Sequence, residues 1–186
     1  MTRYVALLRG INVGGRNPIK MTALRTCLEH GGFEDVATYI QSGNVVFTAD
    51  ASSNACLTTD VEEMLLGAFG YHISVVLRSR QQMRTIVDGA PRGFGHEPDT
   101  YRYDVIFPKA PLTARSAMKD IQTKDGVDTA HLGTGALYFA RLIARASQSR
   151  LSKIVSIPIY KSITIRNWNT TTRLMQMLEP DHEDAG

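Results

Sequence analysis

A glycine-rich loop near the start of the chain is the stretch best suited to hold an anion. Residues 9–17 read RGINVGGRN, follow the apolar run 4–8 and precede a helical pattern that begins near Lys20. Between a strand and a helix, such a loop presents backbone N–H groups to a bound anion. We therefore predict anion binding by these N–H groups together with the guanidinium groups of Arg9 and Arg16.

This loop differs from a nucleotide-binding P-loop. Gly10 and Gly15 have the spacing of that motif, but Arg16 and Asn17 stand where it requires Lys and then Ser or Thr. The hydroxyl that would hold magnesium is therefore missing. A tight turn in which the glycines permit positive φ is an equally good interpretation of the same residues.

Two other segments carry concentrated hydrogen-bonding groups. The turn 42–44, SGN, joins two β-rich stretches; an ordinary hairpin turn is the everyday explanation, and a binding role is the alternative. The segment 164–170, TIRNWNT, contains the only tryptophan of the chain.

The segment 164–170 has a structural and a functional interpretation. At a junction between a strand and a helix, Asn167 would cap the helix and Trp168 would pack inward. The alternative is a pocket lined by Arg166, Asn167 and Asn169, in which Trp168 stacks on a ring or a base.

Charge is distributed unevenly along the 186 residues. The formal net charge is +3, yet residues 129–178 contain seven basic side chains and no carboxylate. A basic surface of this kind attracts anions, including nucleic acids. Residues 179–186 form an acidic tail with four carboxylates, which would partly neutralise it. The alternative is a surface that is basic without a partner.

Several functional classes are disfavoured. No apolar run approaches the roughly 20 residues of a membrane span, and no signal-peptide pattern precedes the first strand. Cys27 and Cys56 are not in C-x-x-C spacing, and the five histidines fall singly, so no metal site is indicated. These features predict a cytoplasmic protein with reduced thiols. They indicate no cofactor and no particular reaction.

The predicted elements follow the order β-α-β-β-α-β twice. In the first half, two helical patterns alternate with strands near 3–9, 36–41, 45–48 and 73–77. In the second half, the same order runs from a strand at 103–107 to one at 162–165, with a short helix predicted at 149–155. We therefore predict an α+β fold with two ferredoxin-like subdomains and antiparallel sheets. The duplication is inferred from the order of elements, since no residue identity between the halves is evident.

These elements divide the chain into four predicted segments. Residues 1–80 form the first ferredoxin-like subdomain, 81–100 a bridging helix and linker, 101–178 the second subdomain with a carboxy-terminal helix, and 179–186 the acidic tail.

The ferredoxin-like order also predicts where the polar loops meet. With strand order 4-1-3-2, the loop after strand one and the turn after strand two leave the sheet at the same edge. We therefore expect the loop 9–17 and the turn 41–44 to share one edge.

Three segments resemble the signatures of a known family. Residues 7–15 (LLRGINVGG), 39–47 (YIQSGNVVF) and 166–170 (RNWNT) are similar, in this order, to those of a bacterial domain-of-unknown-function family, DUF1697. The resemblance implies two ferredoxin-like α+β subdomains and no established activity, substrate or cofactor. Its motifs supply the candidate ligand-binding residues: Arg9, Asn12, Gly14, Gly15, Ser42, Gly43, Asn44, Arg166, Asn167, Trp168 and Asn169.

Three functions are compatible with these features. The first is binding of a small anionic or phosphorylated ligand, by an enzyme or a binding protein, at the edge formed by residues 9–17 and 42–44. The second is binding of RNA or single-stranded nucleic acid through residues 129–178. The third is a structural or interaction role in which the motifs hold the two halves together. The sequence does not indicate an oligomeric state.

Overall fold

The protein consists of two α+β units. The computed structural model describes residues 1–13, 18–50 and 53–179. Of these residues, the first unit comprises those within Met1–Met83 and from Arg173 to Glu179, and the second comprises Arg84–Thr172. Each unit contains one four-stranded antiparallel sheet, so the predicted α+β fold class is confirmed. Beyond Glu179, the predicted acidic tail lies outside the described residues.

The first unit follows the predicted element order. Its elements are β1 (Thr2–Leu8), α1 (Met21–His30), β2 (Glu34–Tyr39), β3 (Asn44–Ala49), α2 (Asn54–Phe69) and β4 (Val75–Ser79). The strand order β2-β3-β1-β4 is the predicted 4-1-3-2 order. Helix α3 (Arg80–Asp88) follows β4 directly.

The core of the first unit reflects two periodicities. Alternate residues of β1 face the helices, as expected for a strand with a period of two. On the helices, the buried residues recur at intervals of four. The core includes Tyr4, Ala6 and Leu8 of β1, Leu24 and Leu28 of α1, and Leu57, Val61 and Leu65 of α2.

The second unit repeats the strand arrangement. Its elements are β5 (Tyr101–Pro108), α4 (Ala114–Met118), β6 (Asp128–Leu132), β7 (Leu137–Leu142), β8 (Ile163–Asn167) and α5 (Trp168–Leu178). The strand order is β6-β7-β5-β8, with β5 at the position that β1 occupies in the first sheet. Helix α5 begins directly after Asn167, the residue that the sequence predicted as its cap.

Residues 143–162 replace the second helix of this unit by three 3₁₀ segments, Ile143–Gln148, Leu151–Ser156 and Pro158–Ser162. The predicted helix at 149–155 was therefore wrong. Serine hydroxyls bond to nearby carbonyl groups here, as Ser152 Oγ does to Ser149 O at 2.7 Å, and such bonds compete with an α-helix. Pro158 then begins the next 3₁₀ segment.

No helix in the described parts of the chain combines the length and the apolar character needed to cross a membrane.

Replacement by alanine should have opposite effects on stability at two glycines near the end of α2. Gly70 follows the helix at φ +77° and donates its N–H to Leu66 O, whereas Gly67 lies inside the helix with open space at its Cβ position. We expect Gly70→Ala to lower the free energy of unfolding by about 1 kcal/mol, since the left-handed conformation disfavours a Cβ. Gly67→Ala should raise it by about 0.5–1 kcal/mol. Urea denaturation of both variants measures the two changes. If both substitutions changed the free energy of unfolding in the same direction, the helix end described here would be contradicted.

Candidate functional site

The loop after β1 and the turn before β3 share one edge of the first sheet, as predicted. Asn12 Nδ2 donates to Gln41 O at 2.8 Å, and the N–H of Leu8 donates to Gly43 O at 2.8 Å. Gly43 has φ +75°, and a Cβ there would lie 2.7 Å from Cδ1 of Ile11, so glycine is required at this close contact. Direct hydrogen bonds thus confirm the predicted juxtaposition.

The asparagines at this edge hold the loops in place. Asn12 Nδ2 also donates to Ile19 O at 2.9 Å, and its Oδ1 accepts the N–H of Ile19 at 2.8 Å. Asn44 is fully buried, and its Nδ2 donates to Tyr39 O at 3.0 Å and to Ser42 Oγ at 2.9 Å. The amide groups of both residues are therefore engaged within the protein.

Anion binding at this edge stays a prediction. Gly14 and Gly15 lie outside the described residues, as do Arg16 and Asn17. Arg9 is half-buried at the end of β1, and its main-chain N–H donates to Ser74 O at 2.9 Å.

A cleft of about 310 Å³ opens at one end of the second sheet. The start of β5 meets the ends of β7 and β8 there, because β5 is antiparallel to both strands. The cleft is lined mainly by Arg102, Asp104, Arg141, Asn167, Trp168 and Asn169. Its volume is at the lower end of the range for small-molecule sites, roughly 300–1,000 Å³. Three residues of the third signature, 167–169, thus border a cavity.

Two arginines and one carboxylate determine the charge of this cleft. Arg102 and Arg141 are direct cross-strand partners, an arrangement in which like charges repel. Nη2 of Arg141 lies 3.4 Å from Oδ2 of Asp104, and the side chains are 22% and 12% exposed. The three groups together leave one positive charge.

Two buried atoms of this cluster have incomplete hydrogen bonding. Oδ2 of Asp104 and Nε of Arg141 are buried and have no hydrogen-bond partner among the described residues. Buried polar atoms normally have such a partner. Burial also raises the pKa of Asp104, while the charges of Arg141 and Arg102 act in the opposite direction. A molecule in the cleft would therefore meet the exposed guanidinium of Arg102 rather than these two buried atoms.

Asn167 and Trp168 are fixed by the start of α5. Oδ1 of Asn167 accepts the N–H of Thr170 at 2.7 Å and caps the helix. Phe94 meets the ring of Trp168 edge-on, with the centroids 5.2 Å apart, and meets Tyr103 at 4.8 Å. The tryptophan thus packs against the protein and also borders the cleft.

Arg166 does not line the cleft. Its Nη1 donates to Thr164 Oγ1 at 2.8 Å and to Ile165 O at 2.9 Å. Burial lowers the pKa of this guanidinium to about 10. Of the residues predicted in the third signature, the structure therefore brings only 167–169 to the cavity.

Strand register reveals residue-level equivalence between the two units. Tyr4 pairs with Phe47 and Ser79, just as Asp104 pairs with Phe139 and Asn167. The N–H of Lys109 donates to Ser162 O at 2.8 Å. This bond has the same position relative to Asp104 and Asn167 as the bond from Arg9 N to Ser74 O has relative to Tyr4 and Ser79.

The last strand of each sheet repeats one further feature. Arg78 and Arg166 pair with Val5 and Val105, and each arginine donates from Nη1 to the carbonyl group of the preceding residue. Ser79 then accepts the N–H of Gln82 at 3.3 Å, as Asn167 accepts that of Thr170. The two halves therefore have one common frame, defined by the strand order, the strand register and these repeated hydrogen bonds.

The charged residues of the cleft belong to the second unit alone. The positions equivalent to Arg102, Asp104 and Arg141 are occupied in the first unit by Thr2, Tyr4 and Ala49. The frame therefore forms without these charges, which separates them from the requirements of the fold.

Two other cavities of the second unit are less suited to a ligand. One of about 20 Å³, beside Ile121 and Leu151, has room for little more than a water molecule. A shallow cleft of about 330 Å³ beside Lys109 and Ser162 has one charged side chain and no aromatic ring in its lining. It is the counterpart of the edge beside Arg9 in the first unit.

The element order, strand order and repeated register define an α+β protein built from two ferredoxin-like halves. Residues 1–138 match the profile of a family described as protein of unknown function (DUF1697), and the chain belongs to this family. The match ends before the third signature at 166–170.

A solved structure of a conserved bacterial protein from Streptococcus pneumoniae is similar to the chain. The two share 30% sequence identity and a TM-score of 0.83, over 96% of this chain and 99% of that chain. No curated protein matches the chain.

Sequence reasoning missed Arg102, Asp104 and Arg141. Each is an ordinary charged residue within a strand, and no motif surrounds it. The available signal was the duplication itself, because aligning β5 with β1 shows charges where the first half has none.

Removal of the Asn12 side chain tests its role at the first edge. We expect Asn12→Ala to lower the free energy of unfolding by about 1–3 kcal/mol, since it removes three hydrogen bonds and leaves main-chain groups without partners. Gln41→Ala is the matched control, because Gln41 contributes its carbonyl group, and it should change stability by less than about 0.5 kcal/mol. Equal effects in thermal melts would contradict the assigned role.

Titration of Asp104 should affect stability. Burial raises its pKa in the folded state above the unfolded value of about 3.9, so the folded state retains the proton to higher pH. The contribution of Asp104 to the free energy of unfolding should therefore fall as pH rises through the interval between these two pKa values. The Asp104→Asn variant has no carboxyl proton to lose at this position. The free energy of unfolding of the wild type minus that of the variant, measured by urea denaturation, should therefore decrease as pH rises over that interval.

A wild-type advantage over Asp104→Asn that grows with pH would contradict the assigned effect of burial.

Proposed function

We propose that the protein binds a small anionic molecule in the cleft of the second unit, beside Arg102 and Arg141. The observation that supports this most directly is the pairing of these two arginines on neighbouring strands with only Asp104 to offset them. An anion there relieves the repulsion and can accept hydrogen bonds from the exposed guanidinium of Arg102. Arginine suits this role because its guanidinium binds phosphate and carboxylate groups in a bidentate manner.

The duplicated frame supports a binding role over a purely structural one. The first unit builds the same sheet with Thr2 and Ala49 at the positions of the two arginines. Two facing like charges are unfavourable without a ligand. The presence of the arginine pair in the second unit alone therefore favours a functional role for it. The polar motifs of the first unit, by contrast, hold its loops together, as a structural role predicts.

Nucleic-acid binding is the second candidate, and the 3₁₀ region favours it. Arg145, Arg150 and Lys153 are exposed there, within the segment that contains no carboxylate. RNA-binding sheets of this topology stack bases on exposed aromatic side chains. The aromatic residues of β7 are instead buried, Tyr138 at 1% exposure with its hydroxyl donating to Ile86 O at 2.6 Å. Charge therefore supports this candidate, and the aromatic residues of this strand do not.

Loss of one cleft arginine tests the proposed function. We expect ribose 5-phosphate to raise the melting temperature of the wild type. Arg102→Gln should weaken its binding by about 10-fold or more, because a charged hydrogen bond contributes roughly 1.5–3 kcal/mol. Arg102 is the better choice for substitution, since it is exposed and Arg141 is paired with Asp104.

The control for this prediction is Arg115→Gln. Arg115 is an exposed arginine of α4 outside the lining of the cleft, so affinity should be unchanged. The proposal fails if no small phosphate compound binds, inorganic phosphate and ribose 5-phosphate included, or if both variants lose affinity equally in calorimetry.

A further inference from the structure

We propose that the anionic ligand carries a planar, nitrogen-containing ring that stacks on Trp168, as in a nucleoside monophosphate. The inference rests on the proposed function, because the arginines hold the phosphate group while the ring occupies the other side of the cleft. The ligand proposed is therefore a mononucleotide, rather than a plain sugar phosphate or a longer nucleic acid.

Trp168 is an immobilised ring at the wall of the cleft. Phe94 meets the indole at 86°, and Gly95 lies so close that a Cβ there would overlap the indole atoms Cδ1 and Nε1. The tryptophan is nevertheless only half-buried. An aromatic ring that is already fixed and partly open stacks on a base without a large loss of side-chain freedom.

Asp104 places a hydrogen-bond acceptor beside this ring. It is the direct cross-strand partner of Asn167, which immediately precedes Trp168. Asp104 lines the cleft, and its Oδ2 lies 3.4 Å from Nη2 of Arg141. A ring N–H or an exocyclic amino group can donate a hydrogen bond to this carboxylate from the cleft. The amide Nδ2 of Asn167, whose Oδ1 caps α5, offers a donor for a ring nitrogen or carbonyl oxygen.

The size of the cleft and the comparison of the halves agree with this ligand class. A volume of about 310 Å³ suits one nucleotide better than a dinucleotide, since ligand sites begin at roughly 300 Å³. In the equivalent register of the first unit, Arg80 replaces Trp168 and Tyr4 replaces Asp104. The ring and the acceptor therefore occur together with the arginines in the second unit.

The chain offers a direct spectroscopic test, because Trp168 is its only tryptophan. The wild-type protein is titrated with the four common nucleoside monophosphates, the matching nucleosides, ribose 5-phosphate and inorganic phosphate. At least one monophosphate should quench the tryptophan fluorescence and bind about 10-fold more tightly than ribose 5-phosphate, as base stacking predicts. Its nucleoside should bind more weakly, because it lacks the phosphate.

Two variants separate stacking from folding. By calorimetry, Trp168→Leu should lose about 10-fold in affinity for the monophosphate and keep its affinity for ribose 5-phosphate. Trp168→Phe should retain most of the monophosphate affinity. Melting curves show whether each variant is folded, and the wild-type titration tests the inference without any variant.

The outcomes distinguish this inference from the proposed function. Equal affinity for ribose 5-phosphate and every monophosphate overturns the ring and leaves anion binding intact. Absence of binding by every phosphate compound overturns both. Affinity that rises steadily with oligonucleotide length overturns the mononucleotide and favours the nucleic-acid candidate.

Discussion

The pairing of each unit's first strand with two antiparallel neighbours is the constraint on which the rest of the structure depends. The register of β1 and β5 determines which loops meet at each edge of the sheet. At one edge of the first unit, it brings the loop after Leu8 to the turn at Gly43. At one end of the second unit, it places Asp104 opposite Asn167 and beside Arg141, residues that are far apart in the sequence.

Comparison of the two units distinguishes the residues that the common frame needs from those that it does not need. Both units keep an arginine near the end of the last strand, followed by a residue whose side chain caps the next helix. Only the second unit adds two facing arginines, a buried carboxylate and a tryptophan at one end of the sheet. The charged cleft and its tryptophan therefore lie on one copy of a frame that the other copy builds without them.

Local patterns explain what could be predicted. Alternating apolar residues along strands and their recurrence every three or four residues along helices indicated both βαββαβ orders, and the topology then placed the loop 9–17 beside the turn 41–44. The 3₁₀ region at 143–162 escaped prediction because its apolar spacing resembles that of a helix, while serine hydroxyls and Pro158 favour tighter turns. The hydrogen bonds of Asn12 and Asn44 to the main chain escaped prediction, because no local pattern shows which backbone groups a polar side chain will meet.

By itself, the sequence determined the α+β class, the duplication, the family and the presence of a basic second half. Only the tertiary structure decided which of its charged residues act together. Arg102 and Arg141 face each other because β5 and β7 are hydrogen-bonded in one register, and Asp104 lies beside Arg141 because it shares a face of β5 with Arg102. Periodicity is a local property of the chain, whereas a binding site is made by contacts between residues that are distant along it. The glycine-rich loop was conspicuous for its composition, and the cleft emerged only from pairing.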